Sequence, residues 1–245
     1  MKGQIRILVL CNIVTLAILT TLLIKDNYPQ RIWVRLDNFV HNRPQVKPHH
    51  FSDNLSYEQQ TGLYRHYQSP KNIVMLGNSI TSRVNWCEFL NRSDITNMGI
   101  DGDITEGYLN RLLFVRKLNP KICFIEGGIN DLFYTISQDT TLHNLREIVA
   151  ELKSYGIVPV LTTIPFVTIN FSDAKNLNNK IREINTELAK LATTEKISLI
   201  DLNRLLSDAN FRHTAYAISD GLHLTDKAYV LWCEEILKIL EQEKI

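Results

Sequence analysis

Glycine and proline are scarce, 10 and 7 among 245 residues, and no tract repeats or falls low in complexity. That excludes a collagen-like, disordered or repeat-built chain. An excess of charge of one sign is also missing: 27 Lys and Arg face 26 Asp and Glu, for a formal net charge of +1. With no basic run either, the chain has no electrostatic footprint for nucleic acid. The four cysteines, Cys11, Cys87, Cys123 and Cys233, lie far apart and form no CxxC pair, which argues against a zinc site. Cys123 falls in a buried-strand pattern and Cys233 on a helical one, so both read as buried thiols; a Cys87–Cys233 disulfide stays open. Neither GxGxxG nor GxxxxGK[ST] occurs, which counts against a nucleotide- or flavin-binding protein. What the chain has in quantity is apolar residues, 44% hydrophobic against 22% charged, enough for one well-packed domain.

Three stretches follow in order. Ile7–Ile24 carries no charge and is preceded by Lys2 and Arg6. Its length reaches that of a spanning helix, and no small-x-small cleavage site follows. Residues 1–24 are therefore expected to be an uncleaved N-terminal membrane anchor, with a cleaved signal peptide as the alternative. Lys2 and Arg6 favour a cytoplasmic N-terminus and a domain outside the cytoplasm, periplasmic in a bacterium. The alternative localisation is secretion. Residues 25–70, with Pro29, Pro44 and Pro48, read as a tether ending in a helix over Ser56–Tyr67. His41, His49 and His50 also lie here, and no metal is assigned to them.

From residue 71 to 245, apolar runs alternate with helical patterns. Strands are expected at Ile73–Leu76, Ile95–Ile100, Ile122–Glu126, Val158–Ile164 and Ile197–Leu202. Helices are expected at Ser82–Leu90, Thr105–Leu118, Leu142–Tyr155, Ala174–Ala192 and Thr225–Glu243. This alternation predicts an α/β three-layer sandwich on a five-stranded parallel, flavodoxin-like sheet of order 2-1-3-4-5. Polar clusters follow the first three strands: Gly77-Asn78-Ser79, then Asn97 to Asp103, then Gly127-Gly128-Ile129-Asn130-Asp131. A fourth, Asp220-Gly221-Leu222-His223, precedes the last helix. In a parallel sheet such loops emerge at one edge and can converge.

In this order the four segments resemble the motif blocks of the SGNH hydrolases, the GDSL esterase/lipase family. The resemblance covers roughly residues 71–245. It implies Ser79 as the nucleophile of the first block, Gly102 and Asn130 in the second and third, and Asp220 and His223 in the fourth. One departure is visible, since the family's Gly-Asp-Ser reads Gly77-Asn78-Ser79 here, a change that bears on how the nucleophile turn is held.

The chemistry can also be argued residue by residue. A serine hydroxyl needs a base, and His223 is the candidate; Asp220, three residues earlier, can reach its imidazole. The oxyanion formed by attack on an ester needs donors already in place. The backbone N–H groups of Ser79 and Gly102 and the amide of Asn130 would supply them. Phe166 and Phe171 are candidates for an acyl or leaving-group wall, and Arg212 and Tyr216 for contacts to a polar leaving group. The resemblance implies carboxylic esters as substrates, so the expected activity is that of a serine esterase without cofactor, removing short acyl (acetyl) groups from a carbohydrate or similar polar substrate. A lysophospholipase and a catalytically silent binding module on the same fold are the alternatives. The expected membrane contact is through the N-terminal helix alone, and the oligomeric state stays open.

Overall fold

Every residue of Ile73–Gly77 (β1) and of Ile122–Glu126 (β3) is buried, as strands covered on both faces must be. They pair in parallel at the centre of a five-stranded sheet. Ile95–Gly99 (β2) flanks β1, with Ile73 opposite Ile95 and Gly77 opposite Gly99. Val158–Thr162 (β4) and Leu199–Ile200 (β5) complete the order β2-β1-β3-β4-β5, all parallel. This is the expected 2-1-3-4-5 order, with β1 and β3 adjacent where the winding reverses. A computed structural model describes residues 49–245 of the chain, which belong to one compact unit. The expected anchor over Ile7–Ile24, Cys11, His41 and the tether up to residue 48 lie outside the described residues. Among the described residues, no helix is long and apolar enough to cross a membrane.

Helices cover both faces of the sheet. Gln138–Ser154 packs against Ala174–Glu195, Thr105–Asn110 and Leu112–Lys117. Elsewhere Trp86, on the short helix Trp86–Phe89, meets Trp232 edge-on at 5.0 Å and Tyr229 at 6.1 Å, both on the last helix, Asp226–Gln242. Leu55–Tyr64 also belongs to this unit, because Tyr57 and Tyr64 are buried in its core.

Several expected boundaries change, each for a local reason. The expected helix Ser82–Leu90 is instead two short ones, Ser79–Ser82 and Trp86–Phe89. The Asn97 amide donates to the carbonyls of Thr81, Ser82 and Val84, and the Trp86 indole donates to Thr81, so these carbonyls face side chains rather than a continuing helix. Thr105–Leu118 breaks at Arg111, which turns inward and is fully buried. The second strand stops at Gly99, not Ile100, whose N–H crosses to Gly77. The fourth stops at Thr162 rather than Ile164, and the fifth keeps only Leu199 and Ile200 of Ile197–Leu202. Past Thr162 the buried segment leaves the ladder for three asparagines. Asn185 and Asn203 bond Ile164 and Phe166, and Asn178 both donates to and accepts from Val167. Side-chain amides satisfy backbone that would otherwise need a longer fifth strand. The described cysteines Cys87, Cys123 and Cys233 are free thiols.

Candidate active site

Gly77 ends β1 where a side chain has no room: a Cβ there would stand 2.0 Å from the Thr81 hydroxyl and 2.9 Å from the Glu126 carbonyl. Asn78 follows as the cap of the Ser79–Ser82 helix, its Oδ1 accepting the Ile80 N–H at 2.8 Å. The asparagine does here what an aspartate oxygen would do. Its amide nitrogen is the difference, since it is buried with no partner among the described residues. Ser79 is thereby fixed as the first helical residue, 7% exposed. Tyr229, reaching from the last helix, donates its hydroxyl to Ile80 O at 2.6 Å.

The Asp220–His223 turn arrives from the opposite end of the chain. Asp220 Oδ1 accepts the N–H groups of Leu222 and His223, and Gly221 takes φ +72° between them. The other oxygen, Oδ2, lies 2.6 Å from His223 Nδ1, and His223 Nε2 lies 2.9 Å from Ser79 Oγ. Burial tends to raise the Asp220 carboxyl, but the His223 ring and these two N–H groups outweigh it and hold it down at about 2. An ionised carboxylate can only accept, so the shared proton sits on Nδ1 and leaves Nε2 to accept from the serine hydroxyl. The structure thus brings Ser79, His223 and Asp220 into one hydrogen-bonded line.

Gly102 has φ +74°, a conformation that glycine adopts without strain. Among the described residues the backbone N–H groups of Ser79 and Gly102 donate to no other group. Asn130 gives one amide hydrogen to Asp103 O at 2.8 Å, leaving the second free. Asp131, beside it, is buried and accepts the N–H and hydroxyl of Thr105, tying the loop after β3 to the loop after β2.

The four expected substrate contacts fare differently. Phe171, half-buried, stacks on Phe133 at 5.8 Å and lies 3.5 Å from where a Gly221 Cβ would stand. That places it between the helix of Asn130 and the turn of His223. Phe166 is instead only 6% exposed, under the Arg182 guanidinium at 5.1 Å. It borders a separate cavity of about 680 Å³ that none of Ser79, Asp220 and His223 lines. Arg212 is not a surface contact either. It is 1% exposed, and its Nη2 donates to the carbonyls of Gly221 and Leu222 at 3.0 and 2.6 Å, holding the histidine turn from beneath. Tyr216 is half-buried against the core, its carbonyl accepting the Thr225 N–H.

Reading the sequence missed a second buried cation, Arg111. It pairs with Asp103 at 2.9 Å and donates to the carbonyls of Met98 and Gly77 at 2.6 and 2.9 Å, joining the ends of β1 and β2 below the site. The available signal was an arginine directly before Leu112 and Leu113 in the apolar stripe of Thr105–Leu118. Glu126 was also passed over. It is 1% exposed, and among the described residues neither carboxyl oxygen has a partner in full hydrogen-bond geometry, the Thr81 hydroxyl lying nearby. Burial pushes it up to about 8 from 4.5, against the opposing pull of the Thr81 hydroxyl and the Arg212 cation. Between those values the folded chain keeps a proton that the unfolded chain has lost, so stability falls as pH rises, with no further loss above about 8. Glu126→Gln is expected to flatten the melting temperature across that window in a thermal-shift series; an unaltered slope would assign the dependence elsewhere.

Comparison with known proteins places this geometry. Residues 75–231 match the GDSL-like lipase/acylhydrolase family. The chain is 28% identical over 215 residues to the N-acylneuraminate cytidylyltransferase of Streptococcus agalactiae serotype V, covering 82% of this chain and 48% of that protein. It therefore spans about half the length of that curated relative. Over 170 residues it is 26% identical to the isoamyl acetate-hydrolyzing esterase of Saccharomyces cerevisiae, covering 63% of this chain and 71% of the esterase. Among solved structures, a GDSL-like lipase from Bacteroides thetaiotaomicron superposes with a TM-score of 0.68 at 23% identity, covering 76% of this chain and 98% of that one, a likeness of fold.

Proposed function

Since this chain belongs to the GDSL-like lipase/acylhydrolase family, we propose that it is a serine esterase working through an acyl-enzyme. The observation that carries this reading is the unbroken line from Ser79 Oγ through the His223 ring to Asp220 Oδ2. Ser79 Oγ attacks the ester carbonyl while its proton passes to His223 Nε2, and Asp220 stabilises the imidazolium. The carbonyl oxygen becomes an oxyanion facing the N–H groups of Ser79 and Gly102 and the free amide hydrogen of Asn130. Collapse breaks the bond to the alcohol oxygen, which leaves with the proton from His223. Water then repeats the sequence on the acyl-serine, releasing the carboxylic acid and restoring the hydroxyl. No cofactor enters.

For the substrate we propose a short acyl group, acetyl foremost, on a carbohydrate or similarly polar alcohol. The yeast relative is named for hydrolysis of an acetate ester. The half-exposed Phe133–Phe171 pair favours the second reading, an esterase of longer acyl chains such as a lysophospholipase. We further propose that Ile7–Ile24 anchors the enzyme with its catalytic unit outside the cytoplasm.

A fluorophosphonate probe and one panel of acetyl-sugar, short-chain and long-chain esters test these readings together. Labelling at Ser79 with kcat/KM greatest on acetyl sugars is the expected result. Preference for long chains would select the lipase reading, and a chain that neither labels nor turns over would be a binding module.

A further inference from the structure

Of the three candidate oxyanion donors, the Gly102 N–H depends most on how its loop is held. It is a single backbone group on a turn, neither in a helix nor in a strand. A peptide unit is a rigid plate: in the trans form, the carbonyl of one residue and the N–H of the next point in opposite directions. Whatever grips the Asp101 carbonyl therefore aims the Gly102 N–H. That grip comes from Asn54, whose Nδ2 donates to Asp101 O at 2.9 Å. The same amide nitrogen lies 3.4 Å from where a Gly102 Cβ would stand. The other end of the Asn54 amide is fixed too, because Oδ1 accepts the Ser56 N–H at 2.9 Å and caps the Leu55–Tyr64 helix.

Asn54 is thus clamped between a helix whose Tyr57 and Tyr64 are buried in the core and the loop it orients. The Asp101 side chain is held separately, by Ser82 Oγ and by Arg83 Nη2 at 2.9 Å. With the side chain anchored, the peptide plane is the remaining freedom, and Asn54 removes it. A hydrogen bond accepted by a peptide carbonyl also polarises that unit and strengthens the N–H at its far end as a donor. Asn54 lies outside residues 75–231, the part matched to the family. The device belongs to the segment that precedes the family's region in this chain.

We propose that Asn54 is a positioning residue of the oxyanion site, acting through the Asp101–Gly102 peptide. This rests on the esterase reading above. It assigns Asn54 no contact with the substrate; its effect is on the charge that develops in the transition state.

Two substitutions separate this role from the helix cap. Asn54→Asp and Asn54→Ser both keep a good capping oxygen, while the first loses the donor and the second is too short to reach Asp101. For the full chain in detergent, with 4-nitrophenyl acetate as substrate, kcat is expected to fall about 10- to 100-fold in both variants. That is somewhat less than the loss of a donor itself. KM should stay within about twofold, as for an interaction made only in the transition state. Affinity for a trifluoromethyl ketone, which forms a tetrahedral adduct on the serine, should fall by the same factor as kcat/KM.

If both variants keep wild-type kcat and ketone affinity, the proposal is overturned while the esterase reading stands. A rise in KM alone, or a fall in kcat with ketone affinity unchanged, overturns it equally. A wild-type chain that neither labels nor turns over overturns the esterase reading and this proposal with it.

Discussion

Ser79→Ala is expected to abolish labelling by a fluorophosphonate and to lower kcat on an activated acetyl ester by roughly 10⁴- to 10⁶-fold, leaving what oxyanion donors and binding alone supply. His223→Ala should be nearly as severe, because Nε2 is 2.9 Å from Ser79 Oγ and no other base among the described residues hydrogen-bonds that hydroxyl. The double variant should be little worse than either single one, since both residues serve the same step. Asp220→Ala should be milder in chemistry yet costly in structure. Its carboxylate receives the N–H groups of Leu222 and His223 as well as the imidazole. Steady-state kinetics beside a thermal melt separate these contributions. A folded Ser79→Ala chain turning over at the wild-type rate would mean that ester cleavage occurs elsewhere.

Arg111→Leu is expected to be the most destabilising single change near the site. It leaves the buried Asp103 carboxylate without its cation and removes the guanidinium donors from the Met98 carbonyl and from the Gly77 carbonyl, which keeps the Ile100 N–H. Breaking a buried pair from one side costs about 3–5 kcal/mol. For a chain of this size that corresponds to a loss of roughly 6–20 °C in melting temperature. Adding Asp103→Asn should recover part of the loss, because a neutral amide tolerates burial better than an unpaired carboxylate. Calorimetry of the two singles and the double gives the coupling directly. If Arg111→Leu melts within a degree or two of wild type, the two strand ends are joined by other means.

How much of this was legible beforehand depended on what each residue type can signal. β1 and β3 were plain because Ile73–Leu76 and Ile122–Ile125 are continuous apolar runs, and burial on both faces leaves no other pattern. Ser79, Asp220 and His223 stood out because each is a reactive type within two residues of a glycine at a loop. The overlong fourth and fifth strands misled for a different reason. Residues 163–168 are as buried as a strand, and hydrophobicity cannot tell a ladder partner from the amides of Asn178, Asn185 and Asn203. Arg212 and Arg111 were hidden by their charge. Arginines ordinarily face water, and the positions of backbone carbonyls, which no side-chain pattern encodes, together with Asp103 in the case of Arg111, explain why these two do not. Phe166 failed in the opposite sense, since an aromatic beside a catalytic loop and one under a neighbouring helix look alike. Asn54 lay in what read as a tether, and its reach to Asp101 crosses 47 residues.

The separation between Ser79 and His223, 144 residues, also has a consequence for how the protein is made. At roughly 5–20 residues per second, a ribosome needs about 7–30 s to travel from one codon to the other. During that interval the nascent chain carries a serine with no base beside it. Residues from β1 through β4 can already pair, but the nucleophile stays unactivated until the last turn and helix emerge and Tyr229 docks on Ile80. A message broken before codon 223 would yield a chain with its central strands complete and Ser79 without its histidine partner.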